Sequence, residues 1–387
     1  MKKIILKKGK EKSFINRHPW VFSGAVQSSE NLENGGIAAL YTADNQILGH
    51  GFFTNKSQIV CRVFDYDLKY DGSENYWSKK MENIFHFKQS LINKEETNCY
   101  RLIHSEGDFL PGLVADVYDE VLVLQIGTKG IEKMLPLFTK IFQNLDFKYI
   151  YVKNKNQSKN TDHIEINGWI TEKGPEKIVV KEHGFLFEID IIHGQKTGFF
   201  IDQRENRNIL KQFCEDKKVL NTFAYSGGFS VYAMAGKASL VHSVDISADA
   251  ISICDKNITL NNFKGEHQSF ATDCFEFLNN LPTQYDVIVL DPPAFAKNSA
   301  AVNKAARGYK EINMKAIKNI APNGLIFTFS CSQHIDTNLF QKIVFSAAAD
   351  AKRNVRILKH LSQAECHPQN IFHPESEYLK GLIIHVE

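Results

Sequence analysis

The sequence predicts an α/β protein, in which a C-terminal Rossmann-like parallel sheet follows a small β-barrel and a central α+β domain. Short β-branched runs separated by turn signals fill residues 1 to about 68, a pattern typical of a small barrel. Later in the chain, apolar runs of strand length alternate with helix-length segments, which is the spacing of βαβ units. These runs are residues 219–223, 241–245, 286–290 and 324–329.

The chain of 387 residues is longer than one ordinary domain. We divide it into a β-barrel domain (1–70), a central α+β domain (71–176) and the α/β domain (177–387). Its hydrophobic fraction of 43% and charged fraction of 23% are those of a globular protein. The net charge of +2 is close to neutral, so any nucleic-acid binding must come from local patches.

The first domain carries such a patch. Residues 1–70 contain ten Lys and Arg against six Asp and Glu, and six of these lysines fall within the first twelve residues. Arg17 and His18 also stand beside Trp20 and Phe22, and cations mixed with aromatics suit RNA binding. Two alternatives remain open: the lysines form a solvated edge strand, and the aromatic residues belong to the barrel core.

The cysteines are scattered, without a Cys-x-x-Cys pair or the spacing of metal ligands. They are Cys61, Cys99, Cys214, Cys254, Cys274, Cys331 and Cys366. This pattern predicts a reducing compartment, no disulfide framework and no metal site. The N-terminal apolar run is too short for a signal peptide, and no apolar stretch approaches the length that spans a membrane. We therefore expect a cytoplasmic protein with no membrane partner.

A tight turn of small residues, Ala224 to Gly228, joins the first strand of the α/β domain to a helix. Small residues let the backbone approach a ligand closely, and the helix N-terminus offers unpaired N–H groups. Asp245 ends the next apolar run, where a carboxylate can accept hydrogen bonds from both hydroxyls of a ribose. The turn and the acid together predict a nucleoside pocket, which NAD enzymes and methyltransferases using S-adenosylmethionine share.

Reactive side chains follow the later strands, at the edge where open α/β sheets bind ligands. Asp291 precedes two prolines that would form a rigid lip, and it can accept hydrogen bonds from a base or an amine. Asp273 can accept from an adenine amino group or cap the helix that begins at Cys274. Cys331, between two serines after a buried strand, is a nucleophile if its neighbours favour the thiolate and inert packing if they do not.

Together these motifs resemble the S-adenosylmethionine-dependent large-subunit ribosomal RNA cytosine-5 methyltransferases, over essentially the whole chain. RHPWVFSGAV resembles the start of that family's RNA-binding PUA domain, and RLIHSEGDFLPGLVADVY resembles its central domain. GQKTGFFIDQRENR, FAYSGGFS, VDIS, DPPAF and SCS follow in the family's order, and HPQNIFHPESEYLKGL resembles its closing signature. The resemblance implies a class I methyltransferase domain, S-adenosylmethionine as cofactor and large-subunit rRNA as partner, and it is compatible with a homodimer.

The resemblance also implies roles for individual residues. Cys331 would add to carbon 6 of cytosine, and Asp291 would hydrogen-bond the pyrimidine edge near N3. Pro293 stands where related subgroups carry a second cysteine, so release of the product would need no second thiol. The cofactor would contact Tyr225, Ser226, Gly227, Asp245, Ile246, Asp273, Cys274, Asp291, Asp202 and Arg204. The RNA would contact Arg17, Trp20, Lys297 and Arg307.

Alternatives remain open for individual residues and for the function of the whole protein. Arg204 would otherwise form a surface salt bridge, and Lys297 and Arg307 would be ordinary exposed charges. A base N-methyltransferase would need no thiol at Cys331. An RNA-binding protein with a vestigial methyltransferase fold would need neither the thiol nor the cofactor turn. A dehydrogenase fits worst, because nothing supplies a hydride-transfer site and Asp-Pro-Pro would be unexplained.

Overall fold

A computed structural model of the chain describes residues 1–154, 164–296 and 298–387. The chain divides into two compact units, each assembled from separate segments. Unit 1 comprises Met1–Val180, Ile189–Phe199 and Glu365–Ser376, and unit 2 comprises Lys181–Glu188, Phe200–Ala364 and Glu377–Glu387. The division into domains 1–70, 71–176 and 177–387 remains a prediction.

The N-terminal part of unit 1 forms a six-stranded sheet, with the strand order β2-β6-β5-β4-β1-β3 over the described residues. Its elements are β1 (Lys2–Leu6), α1 (Lys12–Ile15), β2 (Trp20–Phe22), β3 (Val26–Ser29), β4 (Ile37–Tyr41), β5 (Ile47–Phe53) and β6 (Ile59–Asp65). Side chains alternate between the two faces of a strand. In β1, Ile4 and Leu6 therefore enter a core with Val21 and Val63, while Lys3 and Ile5 on the opposite face are half-buried. The expectation of an N-terminal β domain is confirmed.

A second sheet of unit 1 has five strands in the described part of the chain, in the order β11-β10-β9-β8-β7. Its elements are α2 (Glu74–Ser90), β7 (Cys99–His104), β8 (Leu113–Tyr118), β9 (Val121–Ile126), α3 (Lys129–Asn144), β10 (Tyr149–Val152) and β11 (Gly168–Trp169). Both helices begin at a hydroxyl cap: Ser73 accepts from the Tyr76 N–H, and Thr128 accepts from the Ile131 N–H. This mixture of helices and strands is the expected α+β pattern.

A two-stranded sheet of β12 (Lys177–Glu182) and β13 (Phe185–Asp190) precedes the main sheet of unit 2. That main sheet has seven strands among the described residues, in the order β16-β15-β14-β17-β18-β20-β19. Its strands are β14 (Lys218–Thr222), β15 (Leu240–Asp245), β16 (Glu266–Ala271), β17 (Val287–Leu290), β18 (Gly324–Ser330), β19 (Val355–Ser362) and β20 (Lys380–Val386). The helices of unit 2 are α4 (Arg204–Lys211), α5 (Gly228–Ala235), α6 (Ala248–Leu260), α7 (Cys274–Phe277), α8 (Val302–Asn319) and α9 (Thr337–Ala351).

The order of the strands determines where a ligand can bind. The neighbours of β14 are β15 on one side and β17 on the other, so the strand order reverses at β14. Ligands of open α/β sheets bind outside the carboxyl ends of the strands at such a switch point. The residues that follow β14, β15, β17 and β18 therefore meet along one edge, which we call the carboxyl edge.

The α/β class with a parallel C-terminal sheet is confirmed, because β16, β15, β14, β17 and β18 pair in parallel. Each of the four apolar runs matches its strand to within one residue at either end. One feature differs from the prediction. Strand β20 is antiparallel to both β18 and β19. Its position depends on pairing with strands far away in sequence, which alternation along the chain does not reveal.

Candidate active site

The turn between β14 and α5 contains left-handed backbone. Phe223, Tyr225 and Gly227 have φ angles of 55°, 46° and 78°, a region that residues other than glycine rarely adopt. A Cβ atom added at Gly227 would lie 2.5 Å from Sγ of Cys254. Glycine is therefore required at this position, both for the backbone conformation and for the close approach of Cys254.

Asp245, at the end of β15, lies directly against this turn. Its Oδ2 accepts a hydrogen bond from the Tyr225 N–H at 2.9 Å, and its Oδ1 accepts one from the Ser247 N–H at 2.9 Å. The backbone thus fixes the orientation of the carboxylate. Since each carboxylate oxygen can accept more than one hydrogen bond, both keep acceptor capacity for a ligand.

Two further predicted cofactor residues flank the turn and Asp245. Ile246 is 74% exposed, which is unusual for a large apolar side chain directly after a buried strand. Ser226 is buried, and its carbonyl oxygen accepts a hydrogen bond from the Asn257 side chain at 2.9 Å. Ile246 therefore offers an apolar surface at the carboxyl edge, while Ser226 contributes to the shape of the turn.

Asp273 and Cys274 take structural positions at the start of α7. Oδ1 of Asp273 accepts hydrogen bonds from the N–H groups of Phe275 (2.8 Å) and Glu276 (3.1 Å), which is the helix cap given above as the alternative. The Cys274 thiol is buried, and its Sγ accepts a hydrogen bond from the Phe223 N–H at 3.2 Å. Burial raises the pKa of this thiol to about 12, so it supports the turn as a neutral group.

Asp291 follows β17, and buried amide groups hold it. Its Oδ1 accepts a hydrogen bond from Nε2 of Gln203 at 3.1 Å. Oε1 of Gln203 in turn accepts from Nδ2 of Asn206 at 2.6 Å, and the same nitrogen donates to the carbonyl of Ser362 at 2.9 Å. Gln203 and Asn206 are only 3% and 2% exposed, so the backbone at the end of β19 anchors the orientation of Asp291 through two amides.

Cys331 lies beside the Asp-Pro-Pro segment, as the order of the strands requires. Its Sγ is 3.9 Å from the carbonyl oxygen of Pro292. All seven cysteines lie in the described part of the chain, and every one except Cys331 is buried. The thiol predicted to be the nucleophile is thus the cysteine that a substrate can reach.

Ser332 connects the segment after β17 to the end of β18 through hydrogen bonds. Its Oγ accepts a hydrogen bond from the Ala296 N–H at 3.2 Å and shares another with the Tyr309 hydroxyl at 2.9 Å. Ser332 and Tyr309 are completely buried. Cys331 therefore lies between a fixed Ser332 and the proline segment.

The turn before α4 contributes Asp202, and the first residue of α4 is Arg204. Asp202 is 9% exposed, and its Oδ2 accepts a hydrogen bond from the Tyr378 hydroxyl at 2.7 Å. Its Oδ1 is buried and has no hydrogen-bond partner among the described residues. Arg204 is 2% exposed and pairs with Glu205 at 2.7 Å, so it is not a surface salt bridge. A buried carboxylate oxygen without a donor is a position where a ligand cation would be stabilised.

The predicted RNA contacts that the structure describes belong to both units. Arg17 pairs with Asp67 at 2.6 Å on the surface of unit 1, while Arg307 is exposed on α8 of unit 2. Trp20 of unit 1 is half-buried, and its indole N–H donates to Oε1 of Glu106 at 2.7 Å. Lys297 lies outside the described residues.

Two features near the site were missed by the sequence reasoning. Gln203 lies between Asp202 and Arg204 in the GFFIDQRENR motif, so this motif could have indicated it as a site residue. Tyr378 and Lys380 come from the C-terminal segment, where only the pairing of β20 brings them to the site. Both residues lie in the HPQNIFHPESEYLKGL signature, which does not by itself show that they reach the site.

Cys254, Asp255 and His267 form a separate cluster, in which potential ligand atoms lie within 4.8 Å of one another. The imidazole Nε2 of His267 already hydrogen-bonds the Ser243 hydroxyl at 2.8 Å. Burial raises the pKa of the Cys254 thiol to about 12. This geometry favours a hydrogen-bonded cluster beneath the turn over a set of metal ligands.

Comparison with known proteins identifies the class that this fold and site define. Residues 156–360 match the family model of S-adenosylmethionine-dependent methyltransferases, and residues 4–66 match that of a PUA-like domain. A crystal structure described as a methyltransferase complexed with SAH superposes with a TM-score of 0.85, at 22% identity over 100% of both chains. The protein thus has a class I methyltransferase fold with an N-terminal PUA-like domain.

Curated relatives narrow the class to a family. Ribosomal RNA large subunit methyltransferase I of Aeromonas hydrophila is 39% identical over 390 residues, covering 98% of both chains. The protein of the same name from Cronobacter sakazakii is 37% identical, covering 99% of both chains. The chain belongs to this family of S-adenosylmethionine-dependent methyltransferases. No helix in the described ranges is both long and apolar enough to cross a membrane.

S-adenosylmethionine is the cofactor of this class, and the residues present fit it. The glycine-containing turn gives access to backbone N–H groups, and Asp245 keeps acceptor capacity for the ribose hydroxyls. The partnerless Oδ1 of Asp202 suits the ammonium group of the methionine moiety. The ribose and the amino group of S-adenosylmethionine would each find an acceptor among these residues.

Proposed function

We propose that the protein transfers a methyl group from S-adenosylmethionine to carbon 5 of a cytosine in large-subunit ribosomal RNA. The names of its relatives support the rRNA substrate. The observation that carries the choice of atom is the half-exposed thiol of Cys331 beside the Asp-Pro-Pro carbonyl, at the carboxyl edge of the sheet. A methyltransferase that modifies a nitrogen needs no thiol there.

The chemistry explains why a thiol is useful. Carbon 5 of cytosine is a poor nucleophile, whereas a thiolate bond to carbon 6 makes carbon 5 electron-rich, as in an enamine. S-adenosylmethionine supplies a methyl group on a positively charged sulfur. Once carbon 5 has been methylated and has lost its proton, the electron pair returns to the ring and the bond between sulfur and carbon 6 breaks. Covalent catalysis replaces one difficult step with easier ones.

Asp291 serves the pyrimidine in this proposal. It stands one strand away from Cys331, and the Gln203–Asn206 pair holds one of its oxygens from behind. Its role is to hydrogen-bond the base edge near N3 and stabilise the ring while sulfur is attached to carbon 6. Pro293 occupies the position at which a second thiol would lie, so only Cys331 takes part in bond breaking.

The remaining predicted residues divide between cofactor and RNA. Asp202, Arg204, Asp245 and the turn from Tyr225 to Gly227 hold the cofactor. Ile246 covers the adenine and Asp273 meets its amino group, with Cys274 as support beneath. A target base must leave its stack to reach such a site. The PUA-like domain, with Arg17 and Trp20, and Arg307 of unit 2 are proposed to bind the RNA that surrounds this base. In this proposal the protein is a cytoplasmic enzyme of ribosome maturation.

Transfer of labelled methyl groups tests the proposal. The full-length protein is incubated with methyl-labelled S-adenosylmethionine and with rRNA or tRNA from cells lacking it, and the products are digested to nucleosides. We expect label in 5-methylcytidine from large-subunit rRNA. Label in a methylated guanosine would replace the proposal with N-methylation. Cofactor binding without any transfer would favour an RNA-binding protein with a vestigial methyltransferase fold.

The same assay on Cys331→Ala tests the covalent step. We expect turnover to fall by more than about a thousandfold, because the nucleophile is removed, while the dissociation constant for S-adenosylhomocysteine changes less than about twofold. Cys214→Ala, which removes a buried thiol of unit 2, is the matched control and should retain turnover. Undiminished methylation by Cys331→Ala would rule out the covalent mechanism.

A further inference from the structure

Lys380, the first residue of β20, lies next to the proposed nucleophile. In the pairing of β18 with β20, it is opposite Ser330, the residue before Cys331. Its Nζ donates a hydrogen bond to the carbonyl of Ser332, the residue after Cys331, at 2.9 Å. The side chain is only 3% exposed. Lys380 thus contacts the backbone segment that carries the thiol, from inside the protein.

A buried ammonium group is costly unless an anion faces it. Two acids lie near Lys380, but both have other partners. Asp336 caps α9 through a hydrogen bond from the Leu339 N–H at 2.7 Å, and Glu377 accepts from the Thr337 hydroxyl at 2.9 Å. Burial lowers the pKa of the Lys380 ammonium, and the nearby Cys331, Glu377 and Asp336 act in the opposite direction. Of these groups, Cys331 is the one that is neutral unless it loses its proton.

The other element that faces this site is α8, through Tyr309. Burial raises the pKa of the Tyr309 hydroxyl, so this group stays neutral. It hydrogen-bonds Ser332 and supplies no positive charge. Lys380 therefore supplies a positive charge that can balance a thiolate at this position. A cation beside a cysteine is the arrangement that lowers the pKa of reactive thiols.

We propose that Lys380 is a positioning residue whose ammonium group stabilises the thiolate of Cys331. The S–H bond breaks and the proton passes to solvent water, so the ammonium and the thiolate form an ion pair and no other reactant is needed. The later reaction of the thiolate with the base is the only part of this proposal that rests on the proposed function. Lys380 acts through Cys331 and does not itself contact the substrate.

Alkylation of Cys331 by iodoacetamide, followed by mass spectrometry of its peptide at different pH values, measures the thiolate directly. The full-length protein is compared with Lys380→Met, which keeps the length of the side chain without the charge, and with Lys380→Arg, which keeps the charge. Lys359→Met, an exposed lysine on the neighbouring strand β19, is the matched control. Affinity for S-adenosylhomocysteine reports whether each variant is folded.

We expect Lys380→Met to slow alkylation of Cys331 near pH 7 by about tenfold, the effect of raising its pKa by about one unit. Methyl transfer should fall by a similar factor and recover as the pH rises, because a higher pH restores the thiolate. A purely structural role would lower activity equally at every pH. Lys380→Arg and Lys359→Met should behave like the unchanged protein.

An alkylation profile that is the same in Lys380→Met and the unchanged protein would overturn the proposal. If Lys380→Met does not fold, the unchanged protein still decides: a Cys331 profile centred at or above the ordinary thiol pKa of about 8.5 overturns it as well. The outcome is separable from the proposed function. Methylation by Cys331→Ala would end the covalent mechanism, whereas the alkylation profile would still report whether Lys380 and Cys331 form a pair.

Discussion

The two halves of the carboxyl edge hold their functional groups by different means. On the β14–β15 half, backbone N–H groups of Tyr225 and Ser247 fix Asp245. On the β17–β18 half, side chains do the corresponding work, since Gln203 fixes Asp291. A site held by backbone survives many substitutions around it, whereas a site held by side chains depends on each of them. The two halves should therefore respond differently to mutation.

Among substitutions that compare how the two halves are held, the largest effect is expected where the backbone-held group itself is removed. Asp245→Ala should weaken binding of S-adenosylhomocysteine by about a hundredfold, because the ribose loses charge-assisted hydrogen bonds of roughly 1.5–3 kcal/mol. The rate at saturating cofactor should change little. Isothermal calorimetry and a cofactor titration of activity measure the two quantities.

Asp249→Ala provides the control for that substitution, because Asp249 is exposed in the first turn of α6, close to Asp245 in sequence. It should bind S-adenosylhomocysteine like the unchanged protein. An unchanged dissociation constant in Asp245→Ala would refute the ribose role and remove the basis for assigning the β14–β15 half to the cofactor.

A smaller effect should follow from a change on the β17–β18 half. Gln203→Leu removes the N–H group that orients Asp291, and the maximal rate of methyl transfer should fall by about tenfold while cofactor affinity is retained. Steady-state kinetics with varied RNA and varied cofactor separate the two. Gln212→Leu, an exposed glutamine just after α4, is the control. If Gln203→Leu weakens cofactor binding instead, the assignment of separate roles to the two halves is wrong.

The smallest effect on activity is expected at Cys274, the thiol that supports the turn from below. Cys274→Ala should reduce stability by about 1 kcal/mol through lost packing and leave turnover within about twofold. Folding keeps this thiol protonated, with a pKa of about 12, whereas the unfolded chain ionises it near pH 8.5. The contribution of Cys274 to stability should therefore decline as the pH rises above about 8.5.

Urea unfolding of the unchanged protein and of Cys274→Ala at pH 7 and at pH 10 checks this sign. The difference in stability between the two proteins should be smaller at the higher pH. A Cys274→Ala variant that loses methyl transfer but keeps its stability would show instead that Cys274 belongs to the working site.

The sequence predicted the parts of the site that are local in the chain. The turn before α5, Asp245, Asp291 and Cys331 each follow an apolar run, and the parallel arrangement brings the ends of such runs to one edge. Asp273 was given two roles, and the structure shows the helix cap. What was missed depends on partners far away in the chain. Glu106, which holds the Trp20 indole, and Ser362, which anchors Asn206, are examples.

The burial of Arg204 also could not be read from its sequence context. Arginine is mostly exposed, and a charged motif before a helix fits a surface position equally well. In the structure Arg204 is only 2% exposed. This burial depends on how the surrounding segments pack against it. Sequence patterns thus locate the groups that carry the chemistry, and tertiary packing decides which groups support them.

Strand β20 has a consequence for how the molecule folds. It follows β19 in the chain yet lies between β18 and β19, so the backbone from Ser330 to Lys380 must form a loop before the strand can pair. The β14–β15 half is joined by one helix and needs only a short closure. Because closing long loops slows folding, we expect the β14–β15 half to form early. The position that brings Lys380 to Cys331 should then be reached among the last steps of folding.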